Sequence, residues 1–411
     1  MRMLAYLLAS AALLPGMPSG LSSTSATASA ECARGSVRAV IGGHVTCLRV
    51  GVRCKKRFAK QYRKHGFRCR NGRLRKLHKK PKPPTYPKLP PTPPGPAPKT
   101  VQMPPAAALP PTAHTFTLPA GNNWVPDVGD LAVTGDAVWV SSGLFRVAPG
   151  TNAVTGPFTT AQSQDIGAGE GSVWASGYDQ DVVRRFDSST GSLVATIKLG
   201  GGVGSSPEGM VDAAGSMWVG THHGGALLRI DAQTNTVSRK VLLVPSGSGG
   251  PQGVAAGLGS IWVDVPSANA VFRIDPNTAK VVAVISLPDG PSACGGIAVG
   301  TSAVWVTSCL DGTLIARIDP ATNRVVSVLD VGGEVIQPAA EGDTVWFVAG
   351  GDPDNPPAPA HLIQLRADDS VMTRIALPTG FVSGGTAVAF GSVWVSDFVH
   401  PQLIRVPDHS G

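Results

Sequence analysis

The chain has 411 residues, including 50 Gly and 36 Pro, and its formal net charge is +8. The charge is unevenly divided: residues 31–82 hold 18 Lys/Arg and one acidic residue, whereas residues 100–411 hold 14 Lys/Arg and 26 acidic residues. This segregation argues against one uniform globule and predicts two parts of opposite charge. A basic module of this kind usually binds an anionic polymer or surface.

The first thirty residues have the pattern of a secretory signal peptide. Arg2 supplies the positive start, residues 4–14 the apolar stretch, and Ala28-Ser29-Ala30 a small-residue cleavage site. The apolar stretch is shorter than a membrane-spanning helix, and no second run of about 20 apolar residues follows. We therefore expect a secreted, extracellular chain with no transmembrane anchor after cleavage; a retained N-terminal anchor is the alternative.

A small basic module is predicted over residues 31–80. Its spacing C-x14-C-x6-C-x14-C places four cysteines at Cys32, Cys47, Cys54 and Cys69. So short a segment needs disulfides to fold, although the sequence does not choose among three possible pairings. Residues 45–50 are predicted to form a strand and residues 55–65 a helix. A zinc site is the alternative use of the cysteines.

The Lys/Arg residues of this module are expected to bind an anionic partner. Cell-wall phosphates, acidic polysaccharide and extracellular nucleic acid all fit the charge, whereas nothing indicates sequence-specific reading of bases. A solvated surface that only aids solubility is the alternative. Residues 81–111, of which 14 are Pro, are predicted to form a solvated polyproline spacer.

Residues 112–411 contain a sequence repeat built around Trp. Its copies are separated by 35, 44, 44, 43, 41 and 48 residues, at Trp139, Trp174, Trp218, Trp262, Trp305, Trp346 and Trp394. A four-stranded unit at this period is typical of a β-propeller. Residues 115–118 match the last strand of a repeat and residues 404–406 match the third. Pairing these two ends predicts an all-β, seven-bladed propeller closed by strands from both ends of the domain.

The recurring residues are interpreted as structural. The Trp side chains are predicted to pack between blades. The recurring Asp, as in Asp187 and Asp231, is predicted to cap the turn that follows it. In one repeat, Cys294 and Cys309 lie symmetrically about a hairpin centre, which predicts a disulfide; two free thiols are the alternative.

Function is expected at one mouth of the central channel, where loops of all blades converge. The residues predicted to bind a ligand there are Asp165, Glu208, His222, His223, Gln252, Asp264, Gln337 and Asp397. Glu208 and His222 lie on either side of one hairpin, so we expect them to approach each other and to be able to act as an acid–base pair. A pair that only satisfies its own hydrogen bonds is the alternative.

The repeats resemble those of virginiamycin B lyase-like and YVTN-type propellers. The phrases that carry the resemblance are GSVWVSD, GSIWVDV, RIDPNTAKVV and RIDPATNRVV. The resemblance implies a propeller and, for a lyase, histidines, a glutamate and a magnesium ion at the mouth. Here Glu208 precedes the innermost strand, whereas His222 and His223 follow the second strand, so the two residue types stand in exchanged positions.

These observations favour an exported, envelope-associated binding platform that is held by its basic module to an anionic polymer. The propeller mouth would take a small molecule or a protein. A lyase-like or hydrolytic enzyme is the alternative, with His222 as base and Glu208 as acid or metal ligand. Magnesium or calcium is expected only in that case, and the sequence assigns no metal site by itself.

Overall fold

The computed structural model describes residues 32–77, 93, 95–119, 129–161, 163–200, 205–288, 292–309, 312–351 and 359–408. The side chains at 292–295 and 308–309 are outside this description. The chain divides into two compact units, residues 1–83 and 84–411. The predicted signal peptide lies outside the described residues.

The basic module folds as two hairpins around a short helix. Its elements are the strands Val37–Ile41, His44–Leu48, Phe67–Arg70 and Arg73–Lys76, the 3-10 turn Lys56–Phe58 and the helix Ala59–Lys64. The core is small, with buried Leu48, Tyr62, Phe67 and Leu74 at its centre. Disulfides Cys32–Cys47 and Cys54–Cys69 cross-link it. The cysteines are therefore not zinc ligands, and their pairing is typical of an oxidising compartment.

The second unit is a seven-bladed propeller, as predicted. From the innermost to the outermost, the strands of blades 1 to 3 are Leu131–Val133, Val138–Val140, Phe145–Ala148 and Ala153–Thr155; Ile166–Gly169, Ser172–Gly177, Val182–Asp187 and Leu193–Lys198; and Pro207–Asp212, Ser216–Thr221, Ala226–Asp231 and Thr236–Leu242. Those of blades 4 and 5 are Val254–Gly257, Ser260–Val265, Ala270–Asp275 and Lys280–Ser286; and Ser292–Val299, Val304–Cys309, Leu314–Asp319 and Arg324–Asp330. Those of blades 6 and 7 are Val335–Glu341, Thr344–Ala349, His361–Arg366 and Val371–Ala376; and Ser383–Ala389, Ser392–Asp397, Gln402–Pro407 and His114–Thr117.

The ring is closed by pairing the two ends of the domain. In blade 7, the outermost strand His114–Thr117 runs antiparallel to Gln402–Pro407, with Phe116 opposite Leu403. Phe116 is buried and stacks on Trp394, with ring centroids 5.6 Å apart. The predicted closure is therefore confirmed: residues 114–117 complete blade 7 as its fourth strand.

The repeated Trp residues are buried between blades, as expected. In blade 4, Trp262 is fully buried and its ring nitrogen donates to the carbonyl oxygen of Gly257 at 3.1 Å. Arg273 lies over the Trp262 ring at 4.7 Å. The Arg273 guanidinium also donates to Pro320 O at 2.7 Å and to Asn323 Oδ1 at 2.9 Å in blade 5. Arg273 therefore links blade 4 to blade 5 through hydrogen bonds.

The recurring Asp residues cap turns. Asp231 Oδ1 accepts hydrogen bonds from the backbone N–H groups of Gln233 at 2.9 Å and Thr234 at 2.8 Å. Asp187 Oδ1 accepts in the same way from Ser189 and Thr190. These carboxylates are used by their own turns, which confirms the structural interpretation of the Asp-Thr pattern.

The Pro-rich segment differs from the solvated spacer that we expected over residues 81–111. Lys99–Thr100 forms a short parallel strand on the outer edge of blade 5, opposite Leu329 and Asp330. Ala107 then bridges to Ile375 on the outer edge of blade 6. Pro restricts the backbone without preventing single ladder bonds at an edge, so this segment follows the outside of the propeller into blade 7. Residues 81–92 lie outside the described residues.

The predicted Cys294–Cys309 disulfide remains a prediction. The hairpin of blade 5 pairs Ser292 with Cys309, and a register shift between Ala293 and Gly296 contains Cys294. The side chains of both cysteines are outside the description. Among the described residues, no helix is long and apolar enough to cross a membrane.

Candidate functional site

A polar cavity lies where the innermost strands of all seven blades come together. Its volume is about 330 Å³, at the lower end of the range of about 300–1,000 Å³ that is common for small-molecule sites. Its polar side chains are those of Asp130, Gln164, Asp165, Glu208, Gln252, Gln337, Ser383 and Thr386. Its apolar side chains include those of Leu131, Ile166, Met210, Val254, Ile297, Ile336 and Phe398.

Asp130 links blades across this cavity. Its carboxylate accepts hydrogen bonds from the backbone N–H of Leu131 at 2.8 Å and of Ile166, in blade 2, at 2.9 Å. The side-chain amide of Gln337 is oriented so that its oxygen and its nitrogen both have suitable partners. In this orientation the Gln337 side-chain nitrogen donates to Asp130 Oδ1 at 2.7 Å. Asp130 is thus held by blades 1, 2 and 6, and its acceptors are occupied.

Asp165 and Glu208 are less completely satisfied. The Asp165 carboxylate accepts a hydrogen bond from the backbone N–H of Gly209, but its Oδ2 atom has no partner. Glu208 accepts from the side chains of Gln252 and Tyr178. Asp165 therefore presents a free acceptor to the cavity.

The carboxyl groups share a low-dielectric environment that opposes ionisation. Burial raises the pKa of Glu208 from its ordinary 4.5 to about 7. Burial, and then the charges of Asp130 and Glu208, hold the pKa of Asp165 well above its usual range. Glu208 is therefore only partly ionised near neutral pH, because burial disfavours its charged form.

The structure does not join the predicted acid–base pair. No hydrogen bond or ion pair links Glu208 to His222, although both residues are described. The second strand of blade 3 ends at Thr221, so His222 belongs to the following turn, where its carbonyl accepts from the Gly250 N–H at 2.7 Å. Its ring contacts His223 edge-on at 5.1 Å, its Nδ1 has no partner, and burial lowers the pKa of His222. Neither histidine lines the cavity.

Three other predicted ligand-binding residues also lie away from the cavity wall. His223 Nδ1 is 2.5 Å from Ser206 Oγ. Asp264 is fully buried and accepts a hydrogen bond from the Gly253 N–H at 2.5 Å. Asp397 accepts from the N–H of His400 at 3.1 Å and pairs with its ring at 3.0 Å. These residues support loops next to the mouth, and a role in binding stays a prediction for each.

Four predicted residues do line the cavity: Asp165, Glu208, Gln252 and Gln337. Asp130, Gln164, Ser383 and Thr386 were not predicted. For Asp130 the sequence contains a usable signal, because it lies nine residues before Trp139 just as Asp165 lies nine before Trp174. For Ser383 and Thr386 a register shift between Ser383 and Gly385 changes which side chains face inward, and spacing does not reveal such a shift.

The side chains do not fit the magnesium ion that a lyase-like reading implies. Among the described residues, no three His, Cys, Asp or Glu side chains are grouped so as to hold a metal ion. Glu208 is already engaged by Tyr178 and Gln252. We therefore assign no step of a reaction to a metal at this mouth.

Comparison with known proteins identifies the fold. No family model matches the sequence, and no curated protein matches it. A streptogramin B lyase structure superposes with a TM-score of 0.58 at 17% identity, covering 71% of this chain and 96% of that one. A virginiamycin B lyase from Staphylococcus aureus gives 0.60 at 16% identity, covering 72% and 99%. A chain in the structure of U3-55K gives 0.56 at 8% identity, covering 71% and 98%. At these identities the likeness concerns the fold alone: the strands between residues 114 and 407 form a seven-bladed propeller of the kind found in virginiamycin B lyases.

Proposed function

We propose that the protein is an exported, envelope-associated binding protein, whose propeller mouth takes a small polar ligand and whose basic module binds an anionic polymer. The observation that carries the first half is the cavity shared by all seven blades, with polar side chains converging on it. Such a cavity with few convergent polar groups is the usual form of a small-molecule site. The propeller fold is compatible with binding and with catalysis, so the choice between these two functions rests on the side chains of the site.

The basic module supports the second half of the proposal. Residues 32–77 contain 15 Lys/Arg and no Asp or Glu, so none of these cations has an acidic partner within the module. Lys55, Lys56, Arg57 and Lys60 are all exposed around the helix. A surface of this kind attracts a polyanion by charge rather than by shape, and its affinity falls as salt screens it. The disulfides of the module are typical of the oxidising environment that export would provide.

The lyase-like alternative receives less support from the site. It would require an assembled acid–base pair and metal ligands, and His222 lies in a turn apart from Glu208. At 16–17% identity, the likeness to the lyase structures concerns the fold alone.

Binding of the mature protein to immobilised polyphosphate tests the tether. We expect retention that falls steeply between low and physiological salt, and that is largely lost when Lys55, Lys56, Arg57 and Lys60 are changed to Gln. The matched control changes four exposed cations of the propeller, Lys198, Arg239, Lys240 and Lys280, to Gln. Equal loss in both variants, or retention that does not depend on salt, would contradict a binding role for the module.

Thermal-shift measurements on the mature protein with a panel of small polar molecules test the mouth. We expect at least one to raise the melting temperature of the wild type and to have less effect on Asp165→Asn. A panel without any such response would contradict a binding role for the mouth.

A further inference from the structure

Four polar side-chain atoms in the cavity wall have no hydrogen-bond partner. They are Asp165 Oδ2, Gln252 Oε1, Ser383 Oγ and Thr386 Oγ1. Ser383 is only 4% exposed and Thr386 only 9%. Buried polar atoms in folded proteins are nearly always paired, because an unsatisfied group keeps its full desolvation cost. Four such atoms on one cavity indicate a molecule that binds there and satisfies them.

The chemistry of these atoms restricts that molecule. The free oxygen of Gln252 accepts hydrogen bonds and cannot donate them, and the free oxygen of Asp165 does the same when its carboxyl group is ionised, while the two hydroxyl groups can do either. The ligand must therefore supply donors to the side of the mouth formed by blades 2 and 4. Ser383 and Thr386 belong to blade 7, so a single ligand that reaches all four atoms extends across the mouth.

The charge of the cavity restricts it further. Three carboxyl groups contribute to the wall, those of Asp130, Asp165 and Glu208, and none of the described residues that line it is Lys, Arg or His. A positive ligand beside these carboxyl groups stabilises their ionised form and balances its charge. A bare metal ion is a poorer fit, since the described side chains form no group of three metal ligands. Apolar side chains such as Met210 and Val254 lie between the polar ones and suit methylene groups.

We propose that the mouth binds a small organic cation with a primary ammonium group, which donates to Asp165 and Gln252, and with a second polar group that meets Ser383 and Thr386. This assignment rests on the proposed function, because it takes the mouth to be a binding site. It names the chemical class of the ligand: a diamine or an amino alcohol whose two polar ends are separated by a short apolar chain.

Calorimetric titration of the mature protein with putrescine and with 1,4-butanediol tests the charge directly. The two probes have the same four-carbon chain, and only the diamine is positive. We expect saturable binding of putrescine and binding of the diol that is weaker by about tenfold or more, since hydrogen bonds to charged groups are the stronger ones. Asp165→Asn should weaken putrescine binding by about tenfold, and Ser383→Ala by a smaller factor.

The matched control is Asp187→Asn, which removes a partly exposed carboxylate at a turn that does not line the cavity. It should leave putrescine binding unchanged, and a loss as large as that of Asp165→Asn would show that the propeller attracts cations without a site, which overturns the assignment. Equal affinity for the diol, lost in Asp165→Asn, would overturn the cationic class but keep the mouth as a binding site. No saturable binding of either probe would overturn the assignment, and a panel that also fails in the thermal-shift measurement would remove the proposed function as well.

Discussion

Asp264 allows a quantitative test of how burial shapes this propeller. It lies in the second strand of blade 4, is fully buried, and accepts hydrogen bonds from the backbone N–H groups of Gly253 and Gln252. Burial raises the pKa of Asp264 from its ordinary 3.8 to about 7, and the charge of Glu208 acts in the same direction. The backbone donors oppose the shift without cancelling it.

The sign of the effect follows from proton binding. The unfolded chain loses the Asp264 proton near pH 3.8, whereas the folded protein keeps it until about pH 7. Between these values the folded state binds the extra proton, so the free energy of unfolding falls as the pH rises. About two units of the shift lie between pH 5 and pH 8, which corresponds to about 3 kcal/mol at 1.36 kcal/mol per unit.

Asp264→Asn removes this titration while keeping one acceptor for the backbone donors. Urea unfolding at pH 5 and pH 8 measures the change, and Trp fluorescence reports the propeller alone because all eight Trp lie between residues 124 and 394. We expect the wild type to lose about 3 kcal/mol more than the variant between the two pH values. Carboxyl groups that do not interact with Asp264 titrate in both proteins and cancel in the comparison.

Asp187→Asn is the control for this experiment. Hydrogen bonds from Ser189 and Thr190 lower the pKa of Asp187 to about 2, so this group does not titrate between pH 5 and pH 8. Its variant should show the pH dependence of the wild type. If Asp264→Asn also shows that dependence, the burial argument is wrong for Asp264.

Three further predictions concern the parts that hold the structure together. Phe116→Ala should lower the free energy of unfolding of the propeller, measured in urea, by about 3–5 kcal/mol, because it removes a buried side chain from the closing strand. Thr115→Ala, at an exposed position of the same strand, should change this free energy little, and equal effects of the two variants would contradict the closure. Arg273→Lys should cost about 1–3 kcal/mol in the same assay, since one ammonium cannot replace the bonds to blade 5, whereas Arg239→Lys on the exposed surface should be neutral. Reduction with dithiothreitol should make residues 32–77 sensitive to trypsin, because loss of a native disulfide from a small domain costs about 2–5 kcal/mol; a module that stays resistant would show that its core suffices.

The fold was predictable because it depends on a period. Each blade must bury a similar set of side chains against its neighbours, so Trp recurs every 35 to 48 residues, and in four repeats an Arg follows the Trp by eleven residues. The closing strand was predictable for the same reason: residues 115–118 repeat the end of a unit whose beginning is absent. Four of the cavity residues, Asp165 among them, followed from their position ahead of the innermost strand.

Two local arrangements differ from the expectation for reasons that spacing cannot show. Symmetry about a hairpin placed His222 opposite Glu208, but Glu208 lies opposite Gly220, the strand ends at Thr221, and the His222 N–H donates to the carbonyl oxygen of Ser206. Composition predicted a solvated spacer at residues 81–111, whereas backbone hydrogen bonds next to Thr100 and at Ala107 attach its second half to blades 5 and 6.

The sequence by itself determined the number of blades, the way the ring closes, the packing role of Trp and the separation of a basic module from an acidic propeller. Each of these depends on local repetition or on charge, which the order of residues records directly. Only the tertiary structure decided which cysteines of the module pair, and which polar atoms at the mouth are left without partners. Those outcomes depend on atoms brought together from distant segments, as when Asp130 meets Gln337 across the channel, and on hydrogen bonds that use up some carboxylates and leave Asp165 free.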